Sequence, residues 1–261
     1  MSKKPHIYRK KWGQNFLNDT NLLDRIVRTL NPNKDDAILE IGPGDGSLTE
    51  KIFHQVKEMA AIEIDPYLIK HLSSRSDLRG LHIIHGDVLQ QDIKDLPISN
   101  PVRVIGNIPY NITSPIIFWL IEQLDYWKDA FIMMQKEVGE RLTASVGTKE
   151  YSRISVVVGV YLNIEMCLKV PPEVFYPKPK VDSAILRFTK KDSPVVQDDQ
   201  FVKFNKIVKA AFSKRRKMLR NSLNDFDIPD QIQKEVDFTR RPETLTVLEF
   251  SKLLGLSLIH I

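Results

Sequence analysis

Short apolar runs alternate with amphipathic stretches through the first half of the chain. The segments "AILEIG" (37–42), "EMAAIEID" (58–65), "LHIIHGD" (81–87), "VRVIGN" (102–107) and "DAFIMMQ" (129–135) are apolar and of strand length. Between them, "SLTEKIFHQV" (47–56), "PYLIKHLSSR" (66–75) and "PIIFWLIEQL" (115–124) carry apolar residues at helical spacing. Pro66 stands at a first helical position, where a missing N–H is tolerated. Strands alternating with helices predict βαβ units and a parallel sheet. Two later runs, "IEMCLKV" (164–170) and "SAILRF" (183–188), bracket a Pro-rich loop and predict a closing pair of strands. The fold class expected is therefore α/β, with a mostly parallel sheet and an antiparallel closing strand.

The pattern changes after residue 190. "KDSPVVQDD" is polar, contains Pro and reads as a linker. Beyond it only helical periodicity remains, in "QFVKFNKIVKAAF", "KMLRNSL", "DQIQKEV" and "TVLEFSKLLGL". The expected division is a domain over 1–190 and a small helical domain over 191–261.

Composition adds bounds. Of 261 residues, 42% are apolar, enough for a sizeable core, and the formal charge of +5 favours an acidic partner such as nucleic acid. Cys167 stands alone, so no internal disulfide can form, and the six histidines are scattered without metal-ligand spacing. A reducing compartment suits one unpaired Cys. No apolar run reaches the roughly 18 residues of a membrane span, and no apolar segment follows the basic N-terminus, as a secretory signal requires. A cytoplasmic protein without membrane contact is expected.

The candidate chemistry lies at the strand ends. "EIGPGDG" turns strand one into helix one with the spacing G-x-G-x-G at Gly42, Gly44 and Gly46, not the G-x-G-x-x-G of dinucleotide folds. In an open parallel sheet, ligands bind at the carboxyl ends of the strands. Glu63, 21 residues after Gly42, ends strand two and is placed to accept from ribose hydroxyls. Asp87 ends strand three, can accept from an adenine amino group, and has Val88 beside it to cover the ring. This set fits an adenosine-containing cofactor with no pyrophosphate, such as S-adenosylmethionine.

"NIPYN" (107–111) follows strand four. The exocyclic amine of adenine is a poor nucleophile because its lone pair is delocalised into the ring. Two acceptors aimed at its N–H bonds would draw that pair out of conjugation. The Asn107 side-chain oxygen and a main-chain carbonyl near Ile108 would supply them, with Pro109 fixing the backbone and Tyr110 offering a flat face for the base. Catalysis is then mainly positioning and polarisation.

The ordered set "KKWGQNFL", "EIGPGDGSLT", "EID", "HGDVL", "GNIPYNITSPI", "KEVGERLTA", "VPPEVFYPKPKVDSAILRF" and "AFSKRRKMLRNSL" resembles the small-subunit rRNA adenine N6-dimethyltransferases of the KsgA/RsmA type over nearly the whole chain. The resemblance implies a Rossmann-like, S-adenosylmethionine-dependent methyltransferase sheet. It implies that Gln14, Asn15 and Leu17 lie over the cofactor, and that Gly42, Gly44, Glu63, Ile64, Asp87, Val88 and Asn107 line its pocket. Phe175 would hold the second face of a flipped base beside the tetrad Asn107, Ile108, Pro109 and Tyr110. The implied substrate is a pair of adjacent adenosines in the 3′-terminal hairpin loop of 16S rRNA, within the assembling small subunit, and a monomer is expected. A large-subunit (23S) dimethyltransferase of the erythromycin-resistance type and a non-catalytic RNA-binding factor on the same fold are the alternatives.

Two basic tracts suit that substrate. Residues 203–220 hold eight Lys and Arg and no acid, and residues 3–11 hold five and no acid. Lys214, Arg215, Arg216, Lys217 and Arg220 are the candidate phosphate contacts. Phe201, Phe204 and Phe212 are expected in the core of the small domain.

Overall fold

Capping residues and apolar runs set the elements. The computed structural model of the protein describes residues 15–17, 19–214 and 217–258. Its contacts divide it into two compact units. One runs up to Gly139 and takes in Glu165–Thr189; the other takes in Glu140–Ile164 and the chain from Lys190 onward.

The first unit is built on a sheet. Its strands are β1 (Phe16–Leu17), β2 (Ala37–Ile41), β3 (Glu58–Glu63), β4 (His82–His85), β5 (Val102–Asn107), β6 (Trp127–Gln135), β7 (Leu162–Val170, whose first residues belong to the second unit), β8 (Phe175–Tyr176) and β9 (Ser183–Lys190). Seven of them form one sheet in the order β4-β3-β2-β5-β6-β9-β7. The pairs from β4 through β6 are parallel, and β9 closes on β6 antiparallel. The order of connection reverses between β2 and β5, which is the switch point where open α/β sheets leave a crevice. β1 and β8 form a separate antiparallel pair, with Phe16 opposite Tyr176 and Leu17 opposite Phe175.

The helices follow from local chemistry. α1 (Thr20–Leu30) starts where the Asp19 carboxylate accepts from Leu22 N, and ends at Asn31 in the left-handed region, φ 48°. α2 (Ser47–Phe53) opens at Gly46. α3 (Pro66–Ser73) is capped by Asp65, which accepts from Tyr67 N at 3.0 Å. α4 (Thr113–Glu122) and α5 (Lys136–Leu142) complete the set. Leu22, Leu23, Ile26 and Leu30 of α1 bury one face against Ile38, Ile105 and Phe131 of the sheet.

Arg103, buried near the start of β5, ties these elements together. Its Nε and Nη2 donate to the two Asp129 oxygens of β6 at 2.8 and 3.1 Å. Nη1 reaches Asp36 Oδ2 at 2.8 Å and the Asn31 carbonyl at 3.3 Å, and Nη2 also reaches the Leu30 carbonyl at 2.7 Å. All its N–H donors are thereby used, and the guanidinium lies 5.7 Å from the Phe131 ring centroid.

The second unit is mostly helical. It holds α6 (Arg153–Val158), α7 (Asp198–Ala211), α8 (Leu219–Ser222), α9 (Asp230–Glu235) and α10 (Val247–Lys252), with β10 (Phe226–Asp227) antiparallel to β11 (Ser257–Leu258). Phe204 is fully buried, Phe212 stacks on Phe250 at 5.8 Å, and Phe201 meets Tyr161 edge-on at 5.2 Å. The division expected at residue 190 needs a correction, because 140–164 pack with the C-terminal chain. The reason is α6: Val156, Val157 and Val158 are all buried, and the helix packs on α7 and α10.

Truncating Arg103 would leave Asp36 and Asp129 buried without their counter-charge. Arg103→Ala is expected to destabilise the protein by about 3–5 kcal/mol in denaturant unfolding. A loss under about 1 kcal/mol would show that the network does not hold the sheet.

Candidate active site

At the switch point β2 runs into the turn that opens α2. Gly44 and Gly46 adopt φ of 63° and 83°, a region that side chains rarely enter. Space is tight as well, so that a side chain would make its neighbours shift. A Cβ on Gly46 would lie 2.8 Å from Leu72 Cδ2, and one on Gly44 would lie 3.0 Å from the Phe16 ring. The turn is therefore drawn against α3 on one side and against the β1 arm on the other.

Glu63, at the end of β3, fastens that turn. Its Oε1 accepts from the main-chain N–H groups of Ile64 and Asp65 at 2.9 Å, and Oε2 accepts from Gly44 N at 3.3 Å. Burial raises its pKa, and the three amide bonds oppose that rise. Beyond β4, Asp87 caps a short helical turn by accepting from Leu89 N at 3.0 Å, which places the buried Val88 beside it. At the end of β5, the Asn107 side chain donates from Nδ2 to the Asn15 carbonyl at 2.9 Å. That partner can only accept, so the amide nitrogen must face it. The other side-chain atom, Oδ1, is an acceptor.

These parts enclose a cavity of about 310 Å³. The arm contributes Asn15 and Leu17, and the glycine turn contributes Gly42 and Gly44. Glu63 and Ile64 come from the end of β3, and Asp87 and Val88 from beyond β4. Asn107, Ile108 and Pro109 close the remaining side. Every described residue expected to hold a cofactor lines this one space; Gln14 lies outside the described residues. Phe16 and Glu40 line it too and were missed. Glu40 opens the glycine motif and was legible there, whereas Phe16 had no local signal.

Tyr110 and Phe175 stand apart. Neither lines the cavity. Tyr110 is half-buried, its hydroxyl is 2.6 Å from Ser183 Oγ, and burial raises its pKa. Phe175 is 4% exposed and packs in the apolar cluster with Leu17, Val170 and Ile185. Alternation along β8 turns its neighbour outward, so Tyr176 is 53% exposed.

In the second unit Lys214, Lys217 and Arg220 are exposed, and Lys214 Nζ donates to the Asn221 carbonyl at 3.1 Å. Arg215, Arg216 and the tract 3–11 lie outside the described residues. Among the described residues no helix is long and apolar enough to cross a membrane.

The cavity fits S-adenosylmethionine on its donor set. Buried carboxyl groups face an apolar-walled space, and glycine backbone approaches closely where a pyrophosphate motif is absent. Fold and site together define an S-adenosylmethionine-dependent methyltransferase. Known proteins narrow the class. The family model for ribosomal RNA adenine dimethylase matches residues 6–252. A relative from Alcanivorax borkumensis, named ribosomal RNA small subunit methyltransferase A, is 41% identical over 97% of this chain and 91% of its own. Among solved structures, a dimethyladenosine transferase from Plasmodium falciparum is 28% identical, with TM-score 0.78 over 91% of this chain and 95% of that one. The 23S rRNA methyltransferase ErmE is 26% identical, with TM-score 0.73 over 92% and 98%. The chain belongs to the ribosomal RNA adenine dimethylase family. It is an enzyme that methylates rRNA, with S-adenosylmethionine as donor.

A charge-assisted hydrogen bond contributes about 1.5–3 kcal/mol. Glu63→Ala is accordingly expected to weaken S-adenosylmethionine binding by about tenfold to a hundredfold in calorimetry. Unchanged affinity would remove Glu63 from the site.

Proposed function

We propose that the protein dimethylates N6 of two adjacent adenosines in the 3′-terminal hairpin loop of 16S rRNA, in the assembling small subunit, acting as a monomer. The observation that carries the chemistry is the fixed Asn107 amide. Its nitrogen is held by the Asn15 carbonyl, which leaves Oδ1 to accept from the target amine. Ile108 lies just past the end of β5, outside the strand, and its main-chain carbonyl is the second acceptor. Pro109, with φ −57°, holds that bend. The two acceptors draw the amine lone pair out of the ring and orient it for attack. S-adenosylmethionine, when bound, supplies an electrophilic methyl group. The amine becomes acidic as it is methylated, so no strong base is required. Tyr110 gives the base a stacking face. Phe175, buried beside Leu17 and Ile185, is the second face that the resemblance implies.

The choice of small-subunit over large-subunit rRNA rests on similarity. The 41% relative carries a small-subunit name, whereas the 23S enzyme is 26% identical. The test is methyl transfer from labelled cofactor to undermethylated small and large subunits, with the modified nucleosides mapped. Label in two adjacent adenosines of the small subunit supports the proposal. Label confined to the large subunit would replace it with the 23S reading.

Asn107→Ala is expected to cut turnover by about 10²–10³ at saturating cofactor and substrate. Near-normal turnover would rule out the polarising role. We assign the exposed basic tract of the second unit to the rRNA backbone. Replacing Lys214, Lys217 and Arg220 with Ala should leave cofactor affinity intact and flatten the salt dependence of subunit binding. The change is up to about 0.9 in log–log slope per lost phosphate contact. Unaltered binding across a salt series would make the tract a solvated face.

A further inference from the structure

Glu40, near the end of β2, has no part in the chemistry above. It is 2% exposed and lines the cavity. Among the described residues its hydrogen bond comes from Thr49 Oγ1 of α2, at 2.6 Å. The charged groups facing it are Asp45 in the glycine turn and Glu63 at the end of β3, both acids. Arg75 also reaches the turn, but it donates to the Asp45 carbonyl at 3.2 Å and pairs with Glu50 and Asp77. Its charge is spent elsewhere. The strand neighbours of Glu40 are Ala61 on β3 and Ile105 on β5, and neither can supply charge.

A carboxyl group so placed gives up its proton less readily than a free one. Burial pushes Glu40 up to about 7, and repulsion from Asp45 and Glu63 adds to this, against the Thr49 hydrogen bond. S-adenosylmethionine carries a sulfonium and an ammonium against one carboxylate, so it is a net cation. A cation in this cavity favours the ionised carboxylate. We propose that Glu40 is a proton-linked counter-charge for the cofactor, releasing its proton to solvent as the cationic ligand binds. The inference rests on the cofactor assignment. The O–H bond of the acid breaks, the proton passes to buffer, and the carboxylate stays behind, still accepting from Thr49. The sign is fixed. As pH falls below about 7, binding must expel a proton that is already in place. Affinity then drops by up to about tenfold per pH unit. Above that pH the dependence on Glu40 vanishes.

The test is calorimetric titration with S-adenosylmethionine near pH 6.5, in two buffers of different ionisation heat. The cofactor's own amine stays charged at that pH, so the difference in heat counts protons lost by the protein. The wild-type protein is expected to release most of one proton. Glu40→Gln, the isosteric mimic of the neutral acid, is expected to lose that release and the fall in affinity toward low pH. Glu63→Gln removes one of the two charges that raise Glu40, so its release is expected to persist but to move to lower pH. No proton release by the wild type overturns the proposal, and so does undiminished release by Glu40→Gln. If Glu40→Gln does not fold, Thr49→Val, which removes the hydrogen bond that lowers Glu40, is expected to move the proton release to higher pH, and an unmoved release overturns the proposal. A wild-type protein that binds no cofactor would overturn the cofactor assignment instead.

Discussion

The carboxylate of Glu63 is the point on which the cavity is assembled. It takes amide hydrogens from Gly44 on one segment and from Ile64 and Asp65 on another. The glycine turn and the end of β3 are joined by a group that is itself buried. Burying a carboxylate is unfavourable unless it is hydrogen-bonded, and here the backbone supplies the bonds. The turn meets it with Gly44 and Gly46 at positive φ and close against Phe16 and Leu72. Remove the carboxylate, and the glycine turn and the end of β3 lose a common support.

The opposite requirement is met near the start of β5. There Arg103 satisfies every donor it has on Asp36, Asp129 and the two carbonyls of Leu30 and Asn31 at the C-terminal end of α1. Such a network holds α1, β5 and β6 in one register. Four residues on, the same strand delivers Asn107 to the cavity, where its amide is held by Asn15. A strand pinned at one end can present the proposed polarising group at the other without reorganisation when substrate arrives. That is the economy of electrostatic catalysis: the dipoles are set before the charge develops.

Much of the sheet was legible because its strands are short, mostly apolar runs. The candidate cofactor residues Gly42, Glu63 and Asp87 were legible because each sits where such a run stops, whereas Asn15 and Leu17 were expected only on resemblance. Arg103 was not, because a single charge within "VRVIGN" gives no sign of acids at 36 and 129 folding onto it. The segment 140–164 was unread because α6 is short, and the three buried valines at its end leave no amphipathic period to detect. Phe175 was expected at the base pocket on resemblance. Whether a ring on a two-residue strand faces the core or an opening depends on pairing with Phe16 and Leu17, about 160 residues earlier in the chain.

The central claim is that this one cavity holds the methyl donor, with Glu63 on the ribose and the Asn107 amide beside the reacting methyl. A crystal structure with bound S-adenosylhomocysteine tests it most directly. The account predicts ligand density in the cavity, both ribose hydroxyls within hydrogen-bond distance of the Glu63 carboxylate, adenine against Val88 and Asp87, and the sulfur nearest Asn107. Density elsewhere, or a ligand in the cavity whose ribose does not touch Glu63, would contradict it.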